Sequence, residues 1–192
     1  MKRAVFLDRD GVIVEDSGYI DDCSRVRILP NAGEAVKLLN ESGFEVIVVT
    51  NQSGVARGYF TEETVKEINN HIRESLADQG AFIDGMYYCP HHVDGTLMEY
   101  KKDCNCRKPN PGMIEQAVHD HNIDLSNSFL IGDKASDIEA GHRAGCKTIL
   151  LDSHRTTRKY EEVISKSNPV AGNLYEAVEQ IINLSTSPVK EA

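Results

Sequence analysis

The chain has 192 residues, 40% of them hydrophobic and 27% charged, the proportions of an ordinary globular protein. That length builds one domain with a sizeable core and leaves too little for two comfortable ones. A formal net charge of −9 argues against nucleic acid or an anionic membrane surface as the main partner, and no apolar run approaches the ~20 residues needed to cross a bilayer.

The amino terminus enters an apolar run at once, leaving no room for a signal peptide, so a reducing cytoplasm is expected. There the five cysteines are thiols or metal ligands rather than disulfides. Ala4 to Leu7 reads as a short buried strand that ends in two carboxylates, Asp8 and Asp10. Side chains alternate along a strand, so the two converge only if the strand gives way to a loop after Leu7, a bend that Gly11 permits. A carboxylate at the carboxyl end of a parallel strand sits where open α/β sheets bind their ligands. Two of them suggest a divalent metal and a reactive aspartate; a solvated acidic turn is the plainer alternative.

Residues 12–30 are irregular and hold Asp16-Ser17-Gly18-Tyr19. Asn31 with Glu34 has the pattern of a capping box, and Ala32, Ala35, Val36 and Leu39 mark the buried stripe of a helix ending near Gly43. Val46 to Val49 is a continuous apolar run, the signature of a strand buried on both faces, and it finishes at Thr50-Asn51-Gln52-Ser53-Gly54. Thr61 caps a longer helix with Val65, Ile68, Ile72 and Leu76 inward and Gly80 as its stop. Residues 82–88 supply a further strand, followed by a long aperiodic segment from Cys89 to Lys108.

Asn110-Pro111 opens the next helix, with proline at its first position. Ser128 to Gly132 is a strand closing on Asp133-Lys134, Ala135 to Ala144 a helix stopped by Gly145, and Thr148 to Leu151 another strand. Asn173 and Glu176 begin a last helix; residues 185–192 are expected to fray, leaving one domain over 1–184. The alternation of strands and helices predicts an α/β fold, a doubly wound parallel sheet covered on both faces.

Polar clusters stand at strand ends or in neighbouring loops: Asp8/Asp10, Thr50-Asn51, Arg107-Lys108 and Asp133/Asp137. In this order and on this alternation they resemble the haloacid dehalogenase superfamily of phosphotransferases over nearly the whole chain. The resemblance implies a Rossmann-like sheet, Asp8 as nucleophile forming an aspartyl-phosphate, and Asp10 as general acid and base. It implies Mg²⁺ bound by Asp8, Asp133 and the Asp10 carbonyl, with Thr50 and Lys108 holding the phosphoryl oxygens. Asp137 is expected to fix Lys134 or a metal-bound water rather than ligate the metal. Charge counting agrees: Mg²⁺, Arg107, Lys108 and Lys134 offset the four carboxylates, so phosphate binding requires the metal.

Cys89, His91, Cys104 and Cys106 form a ligand set suited to a structural tetrahedral zinc, although the spacing is not the common C-x-x-C pair and His92 could replace His91. Unlinked buried cysteines are the alternative. One branch of the superfamily, the D-glycero-D-manno-heptose 1,7-bisphosphate phosphatases, carries a similar zinc loop, matched here by Cys89-Pro90-His91-His92 and Cys104-Asn105-Cys106-Arg107-Lys108-Pro109. Thr50 to Gly54 and Ala56 to Thr61 resemble that branch too. Val12 departs from it, standing where threonine is usual.

By this resemblance Asp16, Ser17, Gly18, Tyr19, Asn51, Gln52, Ser53, Arg107 and Lys134 contact a small phosphorylated sugar. The insertions after Gly11 and Asn51 are too short to fold as a cap, so an open site and a monomer are expected. A histidinol-phosphate phosphatase and a catalytically idle phosphosugar-binding module are the rival readings.

Overall fold

A computed structural model describes residues 1–152 and 169–186. Strand β1, Ala4–Leu7, is buried along its whole length. It runs through the middle of a parallel sheet with β2 (Glu45–Asn51), β3 (Gly85–Cys89), β4 (Phe129–Gly132), β5 (Lys147–Leu151) and β6 (Val170–Ala171), in the order β3-β2-β1-β4-β5-β6. The order reverses direction at β1, with β2 on one side and β4 on the other, which places a switch point at the end of β1.

Alternation along the strands divides the core. Val5 and Leu7 join Val46, Val48 and Ile131 on one face, under α1 (Ala32–Glu41), α2 (Glu62–Ala77) and α5 (Leu174–Thr186). Ala4 and Phe6 join Ile47, Val49 and Leu130 on the other, under α3 (Gly112–His121) and α4 (Ala135–Ala144). The expected doubly wound sheet is the observed one. Among the described residues no second sheet or helical bundle covers the carboxyl ends of the strands.

The helix starts show what the sequence pattern does and does not determine. Thr61 has extended backbone (φ −94°, ψ 170°), and its hydroxyl accepts from the Thr64 amide at 3.2 Å. Asn31 instead sits at φ 62°, ψ 5°, and its side chain makes no cap hydrogen bond, so the capping box expected with Glu34 does not form. A cap needs a backbone that turns its side chain toward the helix, and left-handed Asn31 turns it away. Asn173 and Glu176 do reciprocate: the Glu176 amide donates to Asn173 Oδ1, and Asn173 Nδ2 donates to Glu176 Oε1, both at 2.9 Å.

Pro111 caps α3 rather than occupying its first turn. The strand expected over 82–88 starts three residues later and runs one residue further, over Gly85–Cys89. Helix α5 continues through Thr186, so Ser185 and Thr186 are helical where fraying was expected; the rest of that tail, 187–192, lies outside the described residues.

Candidate active site and metal sites

The carboxylates gather where β1 stops. The Asp8 amide still donates to Ile131 O at 3.0 Å, carrying strand pairing one residue past Leu7. The chain then turns tightly, with the Gly11 amide bonded to Val14 O and the Ile13 and Val14 amides to Arg9 O, so the Asp10 carbonyl receives none of the turn's bonds. Gly11 has φ +91°, and a Cβ there would stand 2.5 Å from Asp133 Oδ2. Only glycine lets the Asp8–Asp10 turn approach the β4 carboxylate this closely.

Asp8 is 4% exposed, and Lys108 Nζ donates to its Oδ1 at 2.8 Å. The same ammonium meets Asp137 Oδ1 at 2.6 Å and Val49 O at 2.7 Å. Burial alone would lower the pKa of Lys108, but the Asp137 and Asp8 carboxylates reverse this and hold it above its ordinary value. Asp137 accepts from the Lys134 amide through Oδ2 at 3.0 Å, so both its oxygens are engaged. It therefore holds the backbone of Lys134, whose ammonium goes to Asp16 instead, and pairs with Lys108.

Asp133 differs. Among the described residues its Oδ1 is buried and takes no hydrogen bond, the nearest cation being Lys134 Nζ at 3.9 Å. Burial, chiefly, pushes its pKa up to about 7. An orphaned buried carboxylate oxygen beside Asp8, with an unclaimed carbonyl at Asp10, is a donor set for a hard divalent cation. Asp8, Asp133 and Asp137 each offer an oxygen, all within 4.8 Å of one another. Since Asp137 is already committed, Asp8 and Asp133 are the carboxylates that fit.

Asp10 is held on several sides. Arg9 donates to it from Nε and Nη2, Gln52 Nε2 donates to its Oδ2 at 2.8 Å, and the Thr50 hydroxyl lies 3.4 Å away. Arg9 is 1% exposed and was not among the residues expected from the sequence. Two expected substrate contacts are also redirected. The Gln52 amide is spent on Asp10 and Thr50, and the Asn51 amide on both backbone groups of Lys108, at 3.0 and 3.1 Å. Each borders the site but uses its side chain to position a neighbour.

A cleft of about 40 Å³ remains, lined by Asp8, Asp10, Thr50, Asn51, Lys108, Lys134, Ser136 and Asp137. Ser136, in the first turn of α4, is an unforeseen member. Lys134 crosses to Asp16 Oδ2 at 3.0 Å, tying α4 to the 16–19 loop, where the Gly18 amide donates to Asp16 Oδ1. Burial works against Asp16, yet its pKa is lowered by Lys134. Ser17 is exposed and Ser53 half-buried, while Tyr19, 43% exposed, meets the Tyr59 ring edge-on at 4.7 Å.

The cysteine segment closes on itself. Sγ of Cys89 lies 3.5 Å from that of Cys104 and 3.2 Å from that of Cys106, Cys104 and Cys106 are 3.3 Å apart, and His91 Nδ1 is 3.3 Å from Cys106 Sγ. Hydrogen bonds within the cluster lower the Cys106 thiol and raise that of Cys89, while burial raises Cys104, so without a cation one thiolate is shared among the three sulfurs. A tetrahedral cation with ~2.3 Å bonds would set its sulfurs ~3.8 Å apart, so the cluster is slightly more compact than a filled site and needs to open by only a few tenths of an ångström. His91, not His92, completes the set. The loop then leads into Arg107, whose Nη1 donates to His91 O at 3.2 Å, and Lys108.

Residues 105–177 match the family model described as "HAD-hyrolase-like". The chain is 46% identical over 151 residues to the D-glycero-beta-D-manno-heptose-1,7-bisphosphate 7-phosphatase of Pasteurella multocida, covering 79% of this chain and 82% of that one. The chain belongs to that family of haloacid dehalogenase-type phosphatases. The D-glycero-alpha-D-manno-heptose-1,7-bisphosphate 7-phosphatase of Photorhabdus laumondii is 40% identical over 168 residues, 86% of this chain and 92% of that one. The D,D-heptose 1,7-bisphosphate phosphatase of B. bronchiseptica, solved with magnesium and phosphate, superposes with a TM-score of 0.79 at 28% identity, covering 95% of this chain and 99% of that one. The carboxylate cleft of this haloacid dehalogenase-type chain thus lies at the β1 switch point, where its sheet predicts a ligand.

Proposed function

We propose that the protein is a Mg²⁺-dependent phosphatase that removes the 7-phosphate of D-glycero-D-manno-heptose 1,7-bisphosphate. The observation that carries the chemistry is the pairing of Asp8, one oxygen pinned by Lys108, with Asp10 two residues on. Asp8 Oδ2 takes no hydrogen bond among the described residues and is the oxygen left to attack phosphorus. As the Asp8–phosphorus bond forms, the bond to the sugar oxygen breaks and Asp10 donates its proton to that oxygen. Water then attacks the aspartyl-phosphate, Asp10 takes the water's proton, and the Asp8 carboxylate is released with phosphate. Thr50 and Lys108 border the phosphoryl group. Asp8, Asp133 and the Asp10 carbonyl would hold Mg²⁺, which neutralises phosphate charge as it develops.

Zinc held by Cys89, His91, Cys104 and Cys106 would clip the long loop and hold Arg107 at the rim at little residual entropy. Arg107 has no carboxylate partner among the described residues. A guanidinium held there suits a second anionic group on the substrate, which a heptose bisphosphate has and histidinol phosphate lacks. Twelve residues separate His91 from Cys104, a loop of the heptose type rather than the shorter histidinol type. The proposal extends to a cytoplasmic monomer, one domain over 1–184, acting on a small phosphosugar. Relatives with alpha and with beta names stand close together, so both anomers belong in the assay. Specificity constants for the heptose bisphosphate and for histidinol phosphate test it: Arg107→Ala should erode the preference for the bisphosphate. A better rate on histidinol phosphate overturns the substrate, and no phosphate release with Mg²⁺ overturns the enzyme.

A further inference from the structure

Asp10 is gripped from behind by a buried relay. Arg9 Nε lies 3.3 and 3.2 Å from the two Asp10 oxygens, and Nη2 lies 3.0 Å from Oδ1. The remaining arm, Nη1, reaches away from the cleft to Asn69 Oδ1 at 3.0 Å. Arg9 is 1% exposed and Asn69 5%. Asn69 belongs to α2, a helix that carries none of the polar clusters at the strand ends.

A guanidinium next in sequence to the carboxylate it holds has several rotamers available. A buried one must also satisfy its outward-facing donors. An amide oxygen at position 69 does both. It accepts from Nη1 without adding a charge that would compete with Asp10 for the guanidinium, and it selects the rotamer that presents Nε and Nη2 to Asp10. The anchor is itself rigid. Ile68 and Ile72 beside it are buried in the core, and Glu62 at the start of α2 accepts from the Tyr88 and Tyr100 hydroxyls at 2.7 and 2.9 Å. A reacting group held this way keeps one orientation through both proton transfers.

We infer that Asn69, acting through the buried Arg9 guanidinium, is a positioning residue for the Asp10 carboxylate. The inference rests on the reading of Asp10 as the proton-transferring group.

The test is a double-mutant cycle on the Mg²⁺-loaded protein, following phosphate release from the heptose 1,7-bisphosphate. Asn69→Leu keeps the side-chain volume and removes the acceptor. It should lower kcat about tenfold, the scale of one misplaced charge-assisted bond, with KM unchanged within about twofold. Made in an Asp10→Asn background, the same substitution should cost nothing further, because there is no carboxylate left to misplace. Asn69→Ala, which removes the acceptor without adding branched bulk, takes its place if the leucine variant does not fold. An equal tenfold loss in the Asp10→Asn background overturns the inference, as does a rise in KM with kcat intact. Wild-type turnover in Asp10→Asn alone would overturn the reading of Asp10 itself and the inference with it.

Discussion

Replacing Lys108 with methionine removes the cation that binds the site together. Its ammonium is 2.8 Å from Asp8 Oδ1, 2.6 Å from Asp137 Oδ1 and 2.7 Å from Val49 O, in a residue 4% exposed. Methionine fills most of the volume but leaves two buried carboxylates uncompensated. Breaking a buried pair by removing one partner costs about 3–5 kcal/mol. At about 2–4 °C per kcal/mol for a chain of this length, Tm should fall by roughly 6–20 °C near neutral pH.

The pH dependence identifies the cause. Burial already holds the Asp137 pKa above the ordinary carboxylate value, with Lys108 pulling the other way. Without the lysine it rises further. A group whose folded pKa is raised contributes stability below its unfolded pKa, about 4 for a carboxylate, and loses it as pH climbs through the folded value. The variant should therefore recover stability relative to the parent as pH drops from about 7.5 toward about 5, as Asp137 takes up a proton. Thermal unfolding of both proteins at the two pH values, followed by circular dichroism without added Mg²⁺, measures it. A deficit under about 2 °C near neutrality, or one as large at the lower pH, refutes the reasoning.

Asp8→Asn should abolish phosphate release while leaving the circular dichroism spectrum unchanged, since an amide cannot form the phospho-enzyme. Elemental analysis should find about one zinc per chain, and Cys104→Ser should lower that content and raise KM without unfolding the sheet. Gly11→Ala places a Cβ 2.5 Å from Asp133 Oδ2 at φ +91°. It should cut kcat/KM by at least about tenfold and raise the Mg²⁺ concentration needed for half-maximal rate; an unchanged Mg²⁺ dependence would show that Asp133 is free to move aside.

The strands were legible because their residues repeat a simple rule. Val46 to Val49 is apolar throughout and is buried throughout, with alternate residues feeding opposite cores. Strand β6 was not, since two residues carry no periodicity. That Asp8, Asp10 and Asp133 gather was legible because each follows an apolar strand of a parallel sheet. Their supports were not. Arg9 looks like an ordinary polar residue in a loop and Gln52 was expected to meet substrate; only the fold shows them buried at 1% and 5% exposure against Asp10. One signal was available: if the turn after a fully apolar strand is buried rather than solvated, the charged residue between its two aspartates needs a partner. Asn69 gave no signal, because its partner lies 60 positions away in sequence.

Electrostatics then explains how so acidic a chain can hold phosphate. Counting residues treats Lys108 and Lys134 as charges available to an anion, but the fold assigns them elsewhere. Arg9 is paired with Asp10, Lys108 with Asp8 and Asp137, and Lys134 with Asp16. Asp133, its Oδ1 left without a hydrogen bond, adds a further carboxylate to the set. Three cations thus face five carboxyl groups, an acidic excess that suits a divalent ion and disfavours a phosphate dianion on its own. The protein's own lysines and arginine make the carboxylate cluster tolerable to bury and fix its geometry. On the proposed reading the charge that admits the substrate would come from the metal, and Arg107, tied to His91 O in the cysteine loop and paired with no carboxylate among the described residues, would be the cation left for the substrate's other end.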